Sequence, residues 1–223
     1  MIEHPFRPDH FERVDESSDR LFYSFPRKVV HIDDAAIEAV KEFFREMLPP
    51  HGVVLDLMSS WRSHWPEDLP KQRLVGLGLN AEEMSDNPKL DDYLVHDVNE
   101  DPRLPFEEGR FDAVVLTVSI QYLIHPIEVF REVNRTLKAG GVFAVIFSNR
   151  MFPSKAVAIW RAMNDHQHAE LVASYFRYAG NFEGIDFQDH TPASTEYTDP
   201  LFVVLARKAS AAAHSGEEAA SAG

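Results

Sequence analysis

The fold is decided by a stretch that runs from Leu104-Pro105-Phe106 through Phe111-Asp112-Ala113-Val114-Val115 to Leu137-Lys138-Ala139-Gly140-Gly141-Val142-Phe143. Residues 114–118 and 142–147 are short apolar runs, which is the pattern of parallel strands covered by helices on both faces. Pro126 can begin a helix between them, because its missing N–H is not needed at the first helical position. Four apolar residues then recur at helical spacing, namely Ile127, Phe130, Val133 and Leu137. Gly140 can leave that helix with a positive φ, so the stretch predicts one strand–helix–strand unit of a parallel sheet.

Similar patterns along the rest of the chain predict an alternation of strands and helices. Strands are expected at residues 53–57, 74–77, 93–98, 113–118, 142–147, 182–187 and 201–206. Asp33 is expected to cap a helix with one apolar face, which carries Ile37, Val40, Phe44 and Met47. Residues 155–178 predict one long helix or two shorter ones. This alternation is typical of the α/β class.

Three regions differ in composition. Residues 1–30 are rich in Pro, Asp, Arg and aromatic residues without clear periodicity, and we expect an N-terminal extension that can act as a lid. Residues 31–208 form the single predicted domain. Residues 209–223 contain Ala, Ser, Gly and Glu without a large apolar side chain, which predicts a disordered tail.

Composition excludes several classes of protein. The chain has 223 residues, 44% of them apolar, which is enough for one globular domain with a sizeable core. It contains no cysteine, so disulfides and cysteine metal sites are excluded, and we find no convincing metal site of another kind. No apolar run is long enough for a bilayer or arranged as a signal peptide, so we expect a cytoplasmic protein without membrane contact. The net charge of −14, without a basic cluster, argues against nucleic acid as a partner.

The stretch quoted first also resembles the middle of the class I S-adenosylmethionine-dependent methyltransferases. That superfamily shares the pattern L-P-F, then F-D and an apolar strand, then a helix, then L-K-x-G-G and another apolar strand. The similarity covers about residues 53–149. It implies S-adenosylmethionine as cofactor and a doubly wound, mostly parallel, seven-stranded Rossmann-like sheet with an antiparallel last strand.

Further motifs are similar to an atypical, methyltransferase type 11-like subgroup. They are D-L-x-S-S-W-x-S-H after the first strand, G-x-G-x-N after the second, D-x-N after the third and F-S-N-R after the fifth. The reaction of that subgroup is not well defined, so this resemblance implies the fold and the cofactor rather than the substrate.

The turn after the first strand should carry cofactor chemistry, because ligands of open parallel sheets bind beyond the carboxyl ends of the strands. The family places an acidic residue and a glycine-rich loop there. The acid is present as Asp56, but Met58, Ser59 and Ser60 replace the glycines. The serines keep the loop small and add hydroxyl donors for a ligand, or they cap a short helix that follows. Trp61 could cover the ligand or pack beneath the loop.

The ends of the next strands complete the expected cofactor site. The family's ribose-binding acid falls on Gly78, which has no side chain, followed by Leu79. Asn80 could replace that acid, or it could cap the helix that follows. The resemblance implies that Asp97 accepts the adenine amino proton and that the Val98 N–H meets a ring nitrogen; Asp97 could instead cap its own loop. Two further residues are assigned to the cofactor site, Asn99 and Val118.

Methyl transfer mainly requires alignment of nucleophile, methyl carbon and sulfur, and a base only where the acceptor keeps its proton. Tyr122 could orient the nucleophile or contact the sulfonium, and His64 is a candidate base, as is His96. Arg150 could bind a substrate carboxylate or phosphate through two hydrogen bonds, or it could be a solvated arginine of the loop. Tyr23 and Arg27 of the N-terminal extension could close over the site.

The sequence therefore predicts methyl transfer from S-adenosylmethionine to a small-molecule acceptor of unknown identity. The alternative is a protein of the same fold that binds the cofactor or a related nucleoside without methylating anything, because the glycine loop and the strand-two acid are absent. A third hypothesis is an interaction protein that keeps only the fold. The oligomeric state is not predicted.

Overall fold

The computed structural model describes residues 4–210. Its seven strands are β1 (Val53–Leu57), β2 (Arg73–Gly78), β3 (Asp92–Val95), β4 (Phe111–Thr117), β5 (Leu137–Phe147), β6 (Phe182–Asp189) and β7 (Phe202–Lys208). The α-helices are α1 (Asp19–Phe22), α2 (Asp34–Met47), α3 (Ala81–Ser85), α4 (Pro126–Thr136), α5 (Ala158–Arg161) and α6 (Asp165–Ala179). Short 3₁₀ helices span Pro8–Phe11 and Ile120–Tyr122. The predicted tail lies outside the described residues from position 211 onward.

The strands form one sheet in the order β3-β2-β1-β4-β5-β7-β6. Neighbours from β3 to β5 pair in parallel, whereas β7 runs antiparallel to both β5 and β6. This confirms the predicted doubly wound, mostly parallel sheet with an antiparallel last strand. The strand order reverses between β1 and β4, and such a reversal opens a crevice at the carboxyl ends of the strands.

The predicted boundaries need three corrections. Helix α4 ends at Thr136, and Leu137 begins β5, because the backbone of Leu137 is already extended, with φ −73° and ψ 144°. Gly140 does have a positive φ of 74°, but it lies in the first part of β5, beside the register shift against β4. Strand β3 ends at Val95 rather than at residue 98, because the backbone then turns around Asp97. The region 155–178 forms two helices.

Apolar residues fill both faces of the sheet. On one face α4 and α6 pack through a group of aromatic rings. The ring centroids of Phe130 and Phe176 lie 4.8 and 5.2 Å from that of Phe143. On the other face α2 buries Val40, Phe43 and Phe44. Asp33 caps α2 as predicted by accepting from the Ala36 N–H at 2.9 Å. The two cores fix the carboxyl ends of β1, β2 and β4 with respect to one another.

The N-terminal segment is fastened to the domain by a buried group of charges. Both carboxylate oxygens of Asp19 accept from Nη1 of Arg13, at 2.7 and 2.8 Å. The fully buried Lys155 places its ammonium 3.2 Å from the same carboxylate and donates to the carbonyl of Ser17 at 2.6 Å. Asn99 donates to Asp19 at 2.9 Å. A buried carboxylate with this many donors holds the segment in one place.

None of the helices in residues 4–210 combines the length and the apolar character needed to cross a bilayer.

Replacing Phe143 by alanine should lower the free energy of unfolding by about 3–5 kcal/mol, because it removes a fully buried ring from the aromatic core. Urea denaturation measures the change. Phe25→Ala is the control, since that ring is 77% exposed, and its effect should stay within about 0.5 kcal/mol. Equal effects of the two substitutions would contradict this description of the core.

Candidate functional site

The crevice at the carboxyl ends of the strands contains a cavity of about 140 Å³. Its walls come from the turns after β1 and β4, the ends of β2 and β3, and the N-terminal segment. Every residue predicted for cofactor binding lines this cavity, as do Tyr122, His64, Tyr23 and Arg27. The structure thus brings these residues together, while their individual roles stay predictions.

The turn after β1 is organised around the buried carboxylate of Asp56. Its Oδ2 accepts hydrogen bonds from the hydroxyls of Ser59 and Ser63, at 2.7 and 2.6 Å. Burial nevertheless raises the pKa of Asp56 to about 6, because desolvation outweighs the two hydrogen bonds. Ser60 donates its hydroxyl to Glu83 at 2.6 Å.

These contacts overturn two expectations about the serines. The hydroxyls of Ser59 and Ser60 are donated to protein carboxylates, so they are not directed at a ligand as donors. They cap no helix either, because no helix lies between β1 and β2. The turn is held by side-chain hydrogen bonds where the family's loop relies on glycine.

Gly78 at the end of β2 lets this turn rest directly on the sheet. The Ser59 N–H donates to the carbonyl of Leu77 at 2.8 Å. A Cβ placed on Gly78 would lie only 2.2 Å from the carbonyl oxygen of Ser59. An acidic side chain at this position is therefore incompatible with the observed turn, which explains why the family's acid is absent.

The start of α3 connects β2 to the N-terminal segment. Asn80 accepts from the Glu83 N–H at 3.0 Å and donates to the carbonyl of Tyr23 at 2.9 Å. The helix-capping alternative for Asn80 is thus what the structure shows. The buried carboxylate of Glu83 accepts from the backbone N–H of Arg27 at 2.5 Å.

Asp97 uses only one of its two carboxylate oxygens in hydrogen bonds to the described residues. Its Oδ1 accepts from the backbone N–H groups of Asn99 and Glu100, at 3.0 and 3.4 Å, which is the loop-capping geometry. Within residues 4–210 its Oδ2 accepts no hydrogen bond, although the side chain is buried in the cavity wall. One conformation of Asp97 is therefore compatible both with capping of its own loop and with binding of the adenine amino group.

Three non-glycine residues of the cavity wall have a positive φ: Met58 (58°), His64 (52°) and Val118 (51°). This conformation is especially unfavourable for a β-branched residue such as valine. Strain of this kind persists only where the surroundings impose it, and it clusters at functional sites. No signal in the sequence marks these positions.

The candidate catalytic side chains that line the cavity are those of Tyr122, His64 and His96. The hydroxyl oxygen of Tyr122 accepts from the Phe152 N–H at 2.8 Å, which leaves its proton available, and burial raises the pKa of Tyr122. Burial lowers the pKa of His64 to about 4, with smaller contributions from nearby cations, so its ring is neutral at pH 7. Nε2 of His96 lies 2.8 Å from the carbonyl of Asp101.

Arg150 does not line the cavity, and its position corresponds to the solvated alternative rather than to the substrate-binding one. The loop after β5 carries it outward, where it is 57% exposed and lies 3.9 Å from Asp199. Trp61 does line the cavity, and its indole N–H donates to the carbonyl of Val29 at 3.0 Å. Sequence reasoning missed several wall residues, including Asp19, His31, Glu83, Phe152 and Lys155. They come from segments without a motif and meet only in the folded chain.

Comparisons with known proteins agree with this architecture. Residues 69–145 match a family model described as a methyltransferase domain. No curated protein matches the sequence.

Solved structures share the fold at low sequence identity. The [4+2]-cyclase SpnF has a TM-score of 0.59 at 16% identity, over 86% of this chain and 92% of its own. An S-adenosylmethionine-dependent methyltransferase from Mesorhizobium loti has a TM-score of 0.53 at 16% identity, over 76% and 97% of the two chains. A methyltransferase of the same kind from Methanosarcina mazei has a TM-score of 0.51 at 15% identity, over 75% and 97%.

Gly78→Ala should displace the turn after β1 and weaken both folding and binding of S-adenosylhomocysteine, because the new methyl group meets a backbone oxygen. Gly76→Ala is a matched control on the same strand. Its Cβ would lie 2.6 Å from Cδ1 of Leu90, a side-chain atom that can move. Urea denaturation and calorimetry should show the larger loss for Gly78→Ala, and the reverse order would contradict the described contact.

Stability should depend on pH through Asp56. Its carboxyl binds a proton more tightly in the folded chain, with a pKa of about 6, than in the unfolded chain, near 3.8. Its contribution is therefore present at low pH and is lost as the pH rises from about 4 to about 6, by about 3 kcal/mol. Asp56→Asn removes the titration, so the stability of wild type minus variant should fall over this window. A flat or rising difference in denaturation experiments would refute the raised pKa.

Proposed function

We propose that this chain is a class I S-adenosylmethionine-dependent methyltransferase and that it transfers a methyl group to a small-molecule acceptor in the cavity at the carboxyl ends of β1, β2 and β4. The observation that carries the proposal is the convergence on one cavity of every residue predicted for the cofactor. These residues come from four separate segments of the chain, each at the carboxyl end of one of four adjacent parallel strands, which is where ligands of such sheets bind.

The wall has the chemistry that a nucleoside requires. Met58, Leu79 and Val98 supply apolar surface, and Asp97 supplies a carboxylate oxygen that accepts no hydrogen bond from residues 4–210. Fixed hydrogen-bond acceptors beside apolar surface are typical of small-molecule sites. The residues present therefore fit S-adenosylmethionine, with Asp97 and Val98 holding the adenine.

When bound, S-adenosylmethionine supplies an activated methyl group, so the protein needs mainly to position the acceptor. The Tyr122 hydroxyl stays protonated and can donate to the acceptor's nucleophilic atom. His64 is a neutral imidazole above about pH 5 and can take the acceptor's proton, although its lowered pKa makes it a weak base. Tyr23 and Arg27 close the outer side of the cavity and limit the access of water.

Asp97→Asn should weaken binding of S-adenosylhomocysteine at least tenfold, because an amide at this position loses a charge-assisted hydrogen bond to the adenine amino group. Isothermal titration calorimetry measures the dissociation constant. Glu100→Gln is the control, since Glu100 is a neighbouring carboxylate whose side chain forms a surface ion pair with Arg20. Similar affinities for all three proteins would remove Asp97 from the adenine site.

Transfer itself is tested with S-adenosylmethionine labelled at its methyl group and a panel of phenols, carboxylates, thiols and amines. Transfer to any of them supports the proposal. Tight binding of the cofactor without transfer to any acceptor would favour a binding protein of this fold. Absence of binding by folded protein would overturn the proposal.

A further inference from the structure

Arg27 presents a cationic group to the cavity that the protein does not neutralise. Its guanidinium carbon lies 3.8 Å from the ring centroid of Phe22 and 5.4 Å from that of Phe152. Within residues 4–210 the guanidinium donates no hydrogen bond and lies in no ion pair; only the backbone N–H of Arg27 is bonded, to Glu83. Stacking on a ring uses the flat face of a guanidinium and leaves its N–H edges available for another partner.

The other cations of the cavity wall have protein partners. Lys155 donates to Ser17 and lies beside Asp19. Arg62 is exposed, stacks on Trp61 and donates to its carbonyl at 3.2 Å. Arg27 therefore differs from both in having its hydrogen-bonding edges unused.

Carboxylates of the wall do not compensate for this charge. Asp19 is held by Arg13 and Lys155, and Asp56 is held by two serine hydroxyls. Glu83 accepts from Ser60 and from a backbone N–H, and Asp97 accepts from two backbone N–H groups and forms no ion pair with Arg27.

The surroundings of Arg27 also indicate where its partner would lie. Phe152 follows β5, and its ring stacks on Tyr122 with the centroids 6.2 Å apart. Tyr122 follows β4, on the side of the cavity where the acceptor is expected. A planar anion that met Arg27 here would have the rings of Tyr23, Tyr122 and Phe152 around its apolar part.

We propose that Arg27 binds the carboxylate of the methyl acceptor through two parallel hydrogen bonds, and that the acceptor is a small carboxylic acid with a planar, apolar body. This inference rests on the proposed function. S-adenosylmethionine also carries a carboxylate, so the chemistry that Arg27 recognises has two sources, which the experiment separates.

The test compares wild type, Arg27→Met and Arg20→Met by calorimetry, with benzoate as the acidic probe and benzamide as its uncharged counterpart. Arg20 lies on the same segment in a surface ion pair with Glu100 and outside the cavity wall, which makes it the matched control. Benzoate should bind the chain saturated with S-adenosylhomocysteine at least tenfold more weakly in Arg27→Met than in the other two proteins. Benzamide should bind all three equally, and the affinity for S-adenosylhomocysteine should change less than twofold.

Equal benzoate binding by all three proteins, or none by the wild type, overturns the proposal. A tenfold loss of S-adenosylhomocysteine affinity in Arg27→Met, with benzoate unaffected, also overturns it by assigning Arg27 to the cofactor. If the wild type does not bind S-adenosylhomocysteine, the proposed function fails. The difference between benzoate and benzamide on the free chain then still decides whether Arg27 binds carboxylates. Thermal melting of Arg27→Met shows whether the variant is folded.

Discussion

The close approach of the Ser59 carbonyl to Gly78 is the contact on which the rest of the site depends. It brings the turn after β1 against the end of β2, and the hydroxyls of Ser59 and Ser63 hold the turn there through Asp56. A glycine-rich loop would reach the same place through backbone freedom. Here side-chain hydrogen bonds fix the turn, and the missing side chain at Gly78 makes room for it. The absence of the glycine-rich loop after β1 and the absence of an acidic residue at position 78 are therefore parts of one structural change.

The N-terminal segment supplies the side of the cavity that the sheet leaves open. Asp19 binds it to Lys155 and Asn99, while Asn80 and Glu83 bind its later part to α3. These contacts place Tyr23 and Arg27 opposite the strand ends. The buried charges are mutually compensated, whereas the guanidinium of Arg27 has no such partner among the described residues. The segment thus combines a structural role with a surface suited to an anion.

Much of the fold was predictable because its signals are local. Apolar runs of strand length, the helix that begins at Pro126 and the cap at Asp33 each depend on neighbouring residues, and the structure contains all of them. The end of α4 was misplaced because Gly140 has the expected φ but lies in a strand. Backbone conformation alone does not distinguish a helix end from an irregular strand start.

The site was predictable only where it follows the strand ends. Asp56, Gly78 and Asp97 could be located from the sequence because each comes directly after or at the end of an apolar run. The partners of the serine hydroxyls, the outward course of Arg150 and the burial of Lys155 could not, because each depends on segments far apart in the chain. Strain at Val118 has no sequence signal, since valine is normal in a strand and exceptional only at a positive φ.

The most direct test of the account is a crystal structure of the chain with S-adenosylhomocysteine. We expect the turn of residues 58–63 to stay in contact with Gly78 while the adenosine lies beside Asp97 and Tyr23. A ligand bound outside this cavity, or a turn that leaves β2 to admit the ligand, would contradict the proposed site.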